Sequence, residues 1–221
     1  GNTSNTDGFS ANGHLTGVGD IKVIDKFSLA SSANAVGHGE LSTAPRAQVA
    51  GQSSTTHGYA TGGSISSTGQ NTIDKYVFGS NVTATDVGDL SSGRTDASGH
   101  SSDTHGYTSG GGSPTVATID KFAFSSNVTA TAHGLLSVAR FYTAGQSSAT
   151  YGYTSGGTPS GGVIDKFAFI SNVTASDVGD LTSVRRSGSG HSSTTQGFIS
   201  GGFPDSNIID KFNFASDGNA T

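Results

Sequence analysis

Strand-length runs of alternating apolar and polar residues recur along this chain, each bounded by Gly, Ser, Asn or Pro, and no window sustains a helical period. The most regular run is Ile24-Asp25-Lys26-Phe27. It returns as Ile73-Asp74-Lys75-Tyr76, Ile119-Asp120-Lys121-Phe122, Ile164-Asp165-Lys166-Phe167 and Ile209-Asp210-Lys211-Phe212, at steps of 49, 46, 45 and 45 residues. Side chains alternate faces along a strand, so Asp165, Phe167 and Phe169 share one face while Ile164, Lys166 and Ala168 share the other. Three further short segments accompany each copy. In the last unit these are Ser187 to Ser193 and Gly197 to Ser200, ahead of the third segment Ile208 to Phe214; the fourth, seen in the preceding unit, is Asp177 to Leu181.

Four short strands per period of about 45 residues predict propeller blades rather than short solenoid coils. The fold class expected is therefore all-β: a five-bladed β-propeller of four-stranded antiparallel blades, with residues 1–221 forming one domain. Second and third strands occur five times and complete fourth strands four times, so the last blade is expected to lack its outer strand. Gly1 to Phe9 aligns with Gly51 to Tyr59, and Asn219 to Thr221 with Asn81 to Thr83. Start and stop thus fall at nearby phases of the repeat. Five blades closing on themselves is the simplest reading, and a fragment of a longer array is the alternative.

Composition narrows the function classes. Apolar residues make up only 32% and Gly numbers 34, values that alone would suggest disorder, but the periodic aromatic and aliphatic positions argue for β structure built from small residues. A net charge of −5 supplies no basic field for nucleic acid. The absence of Cys excludes disulfides, thiolate metal sites and a Cys nucleophile. No apolar run approaches a membrane span, no signal-peptide pattern opens the chain, and with no initiator Met a processed or excised segment is the expectation.

The order Arg140, small-residue strand, Tyr153, Gly156-Gly157, loop, Ile164-Asp165 and Phe167, repeated in the other units, resembles the kelch repeat over nearly the whole chain. The usual Trp of the kelch fourth strand is missing; Val178 and Leu181, or Val87 and Leu90, stand there instead, and five blades are fewer than kelch proteins usually have. The wording of the repeat is also similar to kelch-like repeat proteins of marine phages and environmental bacteria, tail-fibre types among them. Those resemblances imply an extracellular or virion-surface binding protein.

Ten of the 27 charged residues are the Asp and Lys of the third strands: Asp25, Lys26, Asp74, Lys75, Asp120, Lys121, Asp165, Lys166, Asp210 and Lys211. Five equivalent catalytic sites would be odd, so a repeated ion pair of Asp with Arg or Lys that stitches blades together is expected instead. The Gly-Gly doublets at 62, 110, 156 and 201 are replaced by Asn12-Gly13 in the first unit, which predicts a left-handed position. Asn2, Gln52, His100, Gln146 and His191 share one first-strand position and are expected to line the central channel. The residue type drifts between copies, which disfavours a metal site. His57 and His105 precede the second strand without being repeated elsewhere. No GxSxG, paired carboxylates or Gly-rich phosphate loop occurs, and Glu40 is the only Glu. No catalytic residue, metal or cofactor is assigned. Asn2, Asn81, Asn127, Asn172 and Asn219 each open an Asn-x-Ser/Thr sequence, read here mainly as turn chemistry.

The units differ most between their second and third strands: residues His14 to Val23, Ser64 to Thr72, Gly112 to Thr118, Thr158 to Val163 and Phe203 to Ile208, all read as loops. One propeller face is thus variable, and binding residues commonly sit on loops held by a rigid scaffold. The ligand-contact residues expected there are His14, Phe141, Tyr142, Arg186 and Phe203, with the stretch His14 to Asp20. The function expected is a binding or adhesion module whose partner is a glycan or host-surface protein, with neither nucleic acid nor membrane insertion. A structural spacer in a longer fibre and an enzyme at the channel mouth are the alternatives.

Overall fold

The computed structural model describes residues 1–15 and 17–221. Thr16, inside the His14 to Asp20 stretch, lies outside the described residues. The chain forms five small antiparallel sheets in a ring, a five-bladed β-propeller whose last sheet has three strands. Blade 1 contains β1 (Asn2–Thr3), β2 (Asp7–Leu15), β3 (Gly19–Ser28) and β4 (Val36–Glu40). Blade 2 contains β5 (Ala50–Ser53), β6 (His57–Thr61), the short β7 (Ser64–Ile65), β8 (Thr68–Val77) and β9 (Thr85–Arg94). Blade 3 runs β10 (Ser98–Ser101), β11 (His105–Ser109), β12 (Thr118–Ala123) and β13 (Thr131–Leu135). Blade 4 runs β14 (Ala144–Ser147), β15 (Tyr151–Ser155), β16 (Val163–Ala168) and β17 (Ser176–Asp180), and blade 5 stops after β18 (Ser189–Ser192), β19 (Gln196–Ser200) and β20 (Ile209–Asn213).

Two segments expected as loops are hairpins. In blade 1 the ladder continues past the core to the pairs His14↔Asp20 and Leu15↔Gly19. In blade 2 the chain turns at Ser66-Ser67, both left-handed (φ 47° and 66°), between Ile65 and Thr68. Two consecutive positive φ values are the geometry of a tight type I′ hairpin, usually announced by Asn-Gly. Ser-Ser carries no such announcement.

The core lies between blades and is nearly the same at four interfaces. The second-strand aromatic of one blade stacks on the aromatic just past the third strand of the next: Phe9 on Phe78 (4.6 Å between centroids), Tyr59 on Phe124 (4.8 Å), Tyr107 on Phe169 (4.6 Å) and Tyr153 on Phe214 (4.8 Å). Each stack adds about 0.5–1.5 kcal/mol beyond the area it buries. Ile24, Ile73, Ile119 and Ile164 are fully buried, each clustered with a Leu of its own blade, in or just past the fourth strand: Leu41, Leu90, Leu136 and Leu181. Both faces of the third strand are thus consumed by packing, which explains how so few apolar residues build a core.

A buried ion pair crosses each of these interfaces. Arg46–Asp74 (2.8 Å), Arg94–Asp120 (2.7 Å), Arg140–Asp165 (2.9 Å) and Arg185–Asp210 (2.6 Å) join the turn after one blade to the third strand of the next. The partner of each Asp is the Arg rather than the neighbouring Lys. Burial pulls the guanidinium pKa of Arg46, Arg94 and Arg140 down, and the carboxylate beside each opposes that shift. The lysines lie nearer solvent: Lys26 reaches Asp7 (3.2 Å), Lys166 reaches Asp217 (2.8 Å) and the Lys121 ammonium donates to the Phe169 carbonyl (3.3 Å). Asp25 is the exception among the five aspartates. It is half-buried and meets no arginine among the described residues.

Candidate functional site

The inner strands set the geometry of the axis. A glycine begins each approach: a Cβ on Gly99 would strike the Gly51 carbonyl, one on Gly145 the Gly99 carbonyl, and one on Gly190 the Gly145 carbonyl. This close approach encloses the side chain that follows. Asn2, Gln52, His100 and Gln146 are all 3% exposed or less. Asn2 donates to the carbonyls of Gln52 (2.7 Å) and Tyr59 (2.9 Å) in the next blade, Gln52 to Tyr107 (3.1 Å) and Gln146 to Phe198 (3.1 Å). The His100 Nδ1–H donates to the Gln146 carbonyl (3.1 Å), and its Nε2 accepts from the Ser109 hydroxyl (2.8 Å). Burial lowers the His100 pKa from its ordinary 6.5 to about 4. These four side chains act as clamps between blades. His191, the fifth copy, is exposed and, among the described residues, bonds only Ser200 of its own blade (3.2 Å). All but Gln52 also border an axial cavity of about 720 Å³ at the opposite mouth from the variable segments.

The variable mouth is built differently. Two residues after each buried Arg the backbone turns left-handed: Gln48 (φ 61°), Asp96 (φ 54°), Tyr142 (φ 56°) and Ser187 (φ 58°). Those positions are tied into a rim. The Asp96 N–H donates to the Gln48 carbonyl (3.3 Å), Tyr142 to Asp96 (2.9 Å) and Ser187 to Tyr142 (2.8 Å). The residue before each one pairs with the segment just beyond the glycine doublet, as Ala47↔Ser64, Thr95↔Gly112, Phe141↔Thr158 and Arg186↔Phe203. Gly62 and Asn12, at equivalent doublet positions, are also left-handed (φ 65° and 64°). A Cβ at the next residue, Gly63, would meet the Ala47 carbonyl at 2.6 Å.

Above the rim lies a cavity of about 620 Å³ bordered by His14, Asp20, Gln48, Asp96, Phe141 and Tyr142 together with several Ser and Thr side chains. The blade 1 hairpin delivers His14 and Asp20, joined by a 2.9 Å contact. Phe141 and Tyr142 form an aromatic pair at 4.8 Å. Burial raises the Asp96 pKa from the ordinary carboxylate value, opposed by a hydrogen bond donated by Thr95 (2.8 Å). Of the five residues expected on this face, His14, Phe141 and Tyr142 meet at the cavity. Arg186 and Phe203 stand beside it, the guanidinium lying 4.6 Å from the Phe203 ring and 5.8 Å from the Tyr142 ring.

The chain matches no family model and no curated protein.

Asp20, Gln48 and Asp96 were not singled out from the sequence individually. Counting two residues on from each repeated Arg would have found Gln48 and Asp96, because that position alternates amide, carboxylate, phenol and hydroxyl while the Arg stays fixed. Among the described residues no three His, Cys, Asp or Glu side chains gather into a group that could hold a metal.

Proposed function

We propose that this protein is a binding module, a kelch-like propeller that recognises a glycan on a host or cell surface through the variable mouth. The observation that carries the reading is the composition of the 620 Å³ cavity: an aromatic pair beside carboxylates, an amide, an imidazole and hydroxyls, on a hydrogen-bonded rim. Aromatic rings cover the apolar C–H faces of sugars, and carboxylate and amide groups accept from and donate to sugar hydroxyls. Ligand sites commonly combine such an apolar wall with a few fixed polar groups. Four non-glycine residues held left-handed at the rim fit the same reading, since backbone strain gathers at functional sites. The scaffold contributes rigidity: the buried Arg–Asp pairs and clamps fix the blades, so the mouth is preorganised.

The arrangement Arg, second-strand aromatic, left-handed doublet and third-strand Asp supports the kelch-like assignment, and with it a place outside the cell or on a virion, tail fibres included. Binding without chemistry is the role proposed, because the groups at the mouth differ from blade to blade. A glycan array probed with the intact chain tests this. Binding to a restricted sugar set, lost in Tyr142→Ala and Asp96→Ala, is the expected result. No binding across the array, or binding indifferent to both substitutions, would overturn it.

A further inference from the structure

Each third strand carries a lysine, and in two blades the fold itself supplies an anion to it. Lys26 lies opposite Phe9 in the ladder, Lys75 opposite Tyr59 and Lys166 opposite Tyr153, so the three share one position of the blade. Lys26 meets the Asp7 carboxylate at 3.2 Å. Lys166 meets Asp217, in the loop after the third strand of blade 5, at 2.8 Å. Lys75 meets no carboxylate among the described residues. The register shows what has changed. Asp7 lies opposite Ser28, and the residue in its place, opposite Val77, is His57. The acid–base pair of blade 1 is thus a pair of bases in blade 2. His105 and Lys121 repeat that pair in blade 3, but there the ammonium donates to the Phe169 carbonyl.

The surface around Lys75 is recessed. A cavity of about 220 Å³ is bordered by His57, Lys75, Thr83, Thr85 and, from blade 3, Asn127, with Val87 among its apolar walls. It shares no residue with the cavity at the variable mouth. Although the chain carries a net charge of −5, no carboxylate among the described residues borders this recess. Asp86, next to Thr85, spends its side chain on the Gly88 N–H (3.1 Å). The Lys75 ammonium stands 6.0 Å from the centre of the Tyr59 ring, a face that favours a cation. The Thr56 hydroxyl engages Nδ1 of His57 (2.8 Å), which leaves Nε2 for a ligand. Burial first and Lys75 second lower the His57 pKa. An anion between the two bases offsets their repulsion.

We propose that this recess is a second binding site, separate from the variable mouth, for a carboxylate of the kind an acidic sugar carries. Its oxygens take the place beside Lys75 that Asp7 fills beside Lys26 and Asp217 beside Lys166. Those two internal carboxylates stand in for the ligand and show that the lysine position accepts one. Lys75 supplies the charge, and charge-assisted hydrogen bonds are the strong ones. The His57 Nε2, the hydroxyls of Thr83 and Thr85 and the Asn127 amide supply the remaining donors. A neutral sugar gains nothing from the ammonium, so the recess separates acidic from neutral sugars.

The test is a titration of the intact chain with sodium glucuronate in low-salt buffer, followed by amide and imidazole NMR, with glucose as the neutral control. Glucuronate should give saturable shifts at His57, Val77, Thr83, Thr85 and Asn127, and glucose none there. Lys75→Gln should weaken binding at least tenfold. His57→Asp should do the same, because it places the protein's own carboxylate where Asp7 stands in blade 1. Both positions are only half-buried, and unchanged amide shifts in blade 4 report that the variants fold. Tyr142→Ala should leave this binding intact, so failure here and failure at the mouth are read separately. Absence of saturation, or affinity indifferent to Lys75→Gln and His57→Asp, would overturn the proposal. So would equal shifts around Lys26 and Lys166, the mark of general surface screening, or saturation by sodium sulfate without saturation by glucuronate.

Discussion

Replacing His100 by Gln should remove a large part of the protein's acid sensitivity. His100 is 2% exposed, holds its Nδ1 proton against the Gln146 carbonyl and uses Nε2 as an acceptor, so it folds as the neutral imidazole. Its pKa is about 4 in the fold against 6.5 when solvated. As pH falls below 6.5 the unfolded chain takes up a proton that the native one refuses, and stability drops until the folded group also titrates near 4. A gap of about 2.5 units at 1.36 kcal/mol each amounts to about 3 kcal/mol lost across that window. Gln performs the same clamp at positions 52 and 146, reaching the next blade's carbonyl with an uncharged amide. Denaturant unfolding of wild type and His100→Gln at pH 7, 6, 5 and 4 measures the difference, in which the other titrating groups cancel. The two proteins should agree within about 1 kcal/mol at pH 7, and the variant should be relatively more stable by about 3 kcal/mol at pH 4. Parallel profiles would refute the reasoning.

Other substitutions set the repeat against its exceptions. Asp165→Asn should cost about 3–5 kcal/mol by leaving the Arg140 guanidinium buried without its counter-charge, whereas Asp25→Asn, at the same motif position without an arginine, should change stability by less than about 0.5 kcal/mol in the same unfolding assay. Tyr142→Gly should relieve a left-handed φ and raise thermal stability slightly, by about 1 kcal/mol or less, while abolishing ligand binding; a loss of stability would show that the ring's packing outweighs the strain.

The architecture was legible because its signals repeat: the Ile-Asp-Lys-Phe strand, the doublet and the small-residue strand each recur at the blade period, and their registers agree from blade to blade. What escaped were features whose cause is nonlocal. Polar side chains on an inner strand read as channel lining; His100 and Gln146 border the axial cavity, but Gly51, Gly99 and Gly145 bring those strands so close that Gln52, His100 and Gln146 also clamp neighbouring blades. Asp could pair with Lys or Arg on sequence alone, and only the turn geometry that brings Arg140 over Asp165 decides it. The hairpin at Ser66-Ser67 was hidden by turn residues that seldom mark one. At the mouth, Phe141 and Tyr142 stood out by breaking the repeat, but Gln48 and Asp96 are small polar residues in a sequence full of them.

The most direct test of binding at the variable mouth is amide NMR of the intact chain titrated with a sugar selected on the array. Shift changes should concentrate at Gln48, Asp96, Phe141 and Tyr142 and at the His14–Asp20 hairpin, and should disappear in Tyr142→Ala. Changes centred on the opposite mouth, around Ser101, Ser147 and His191, would contradict it.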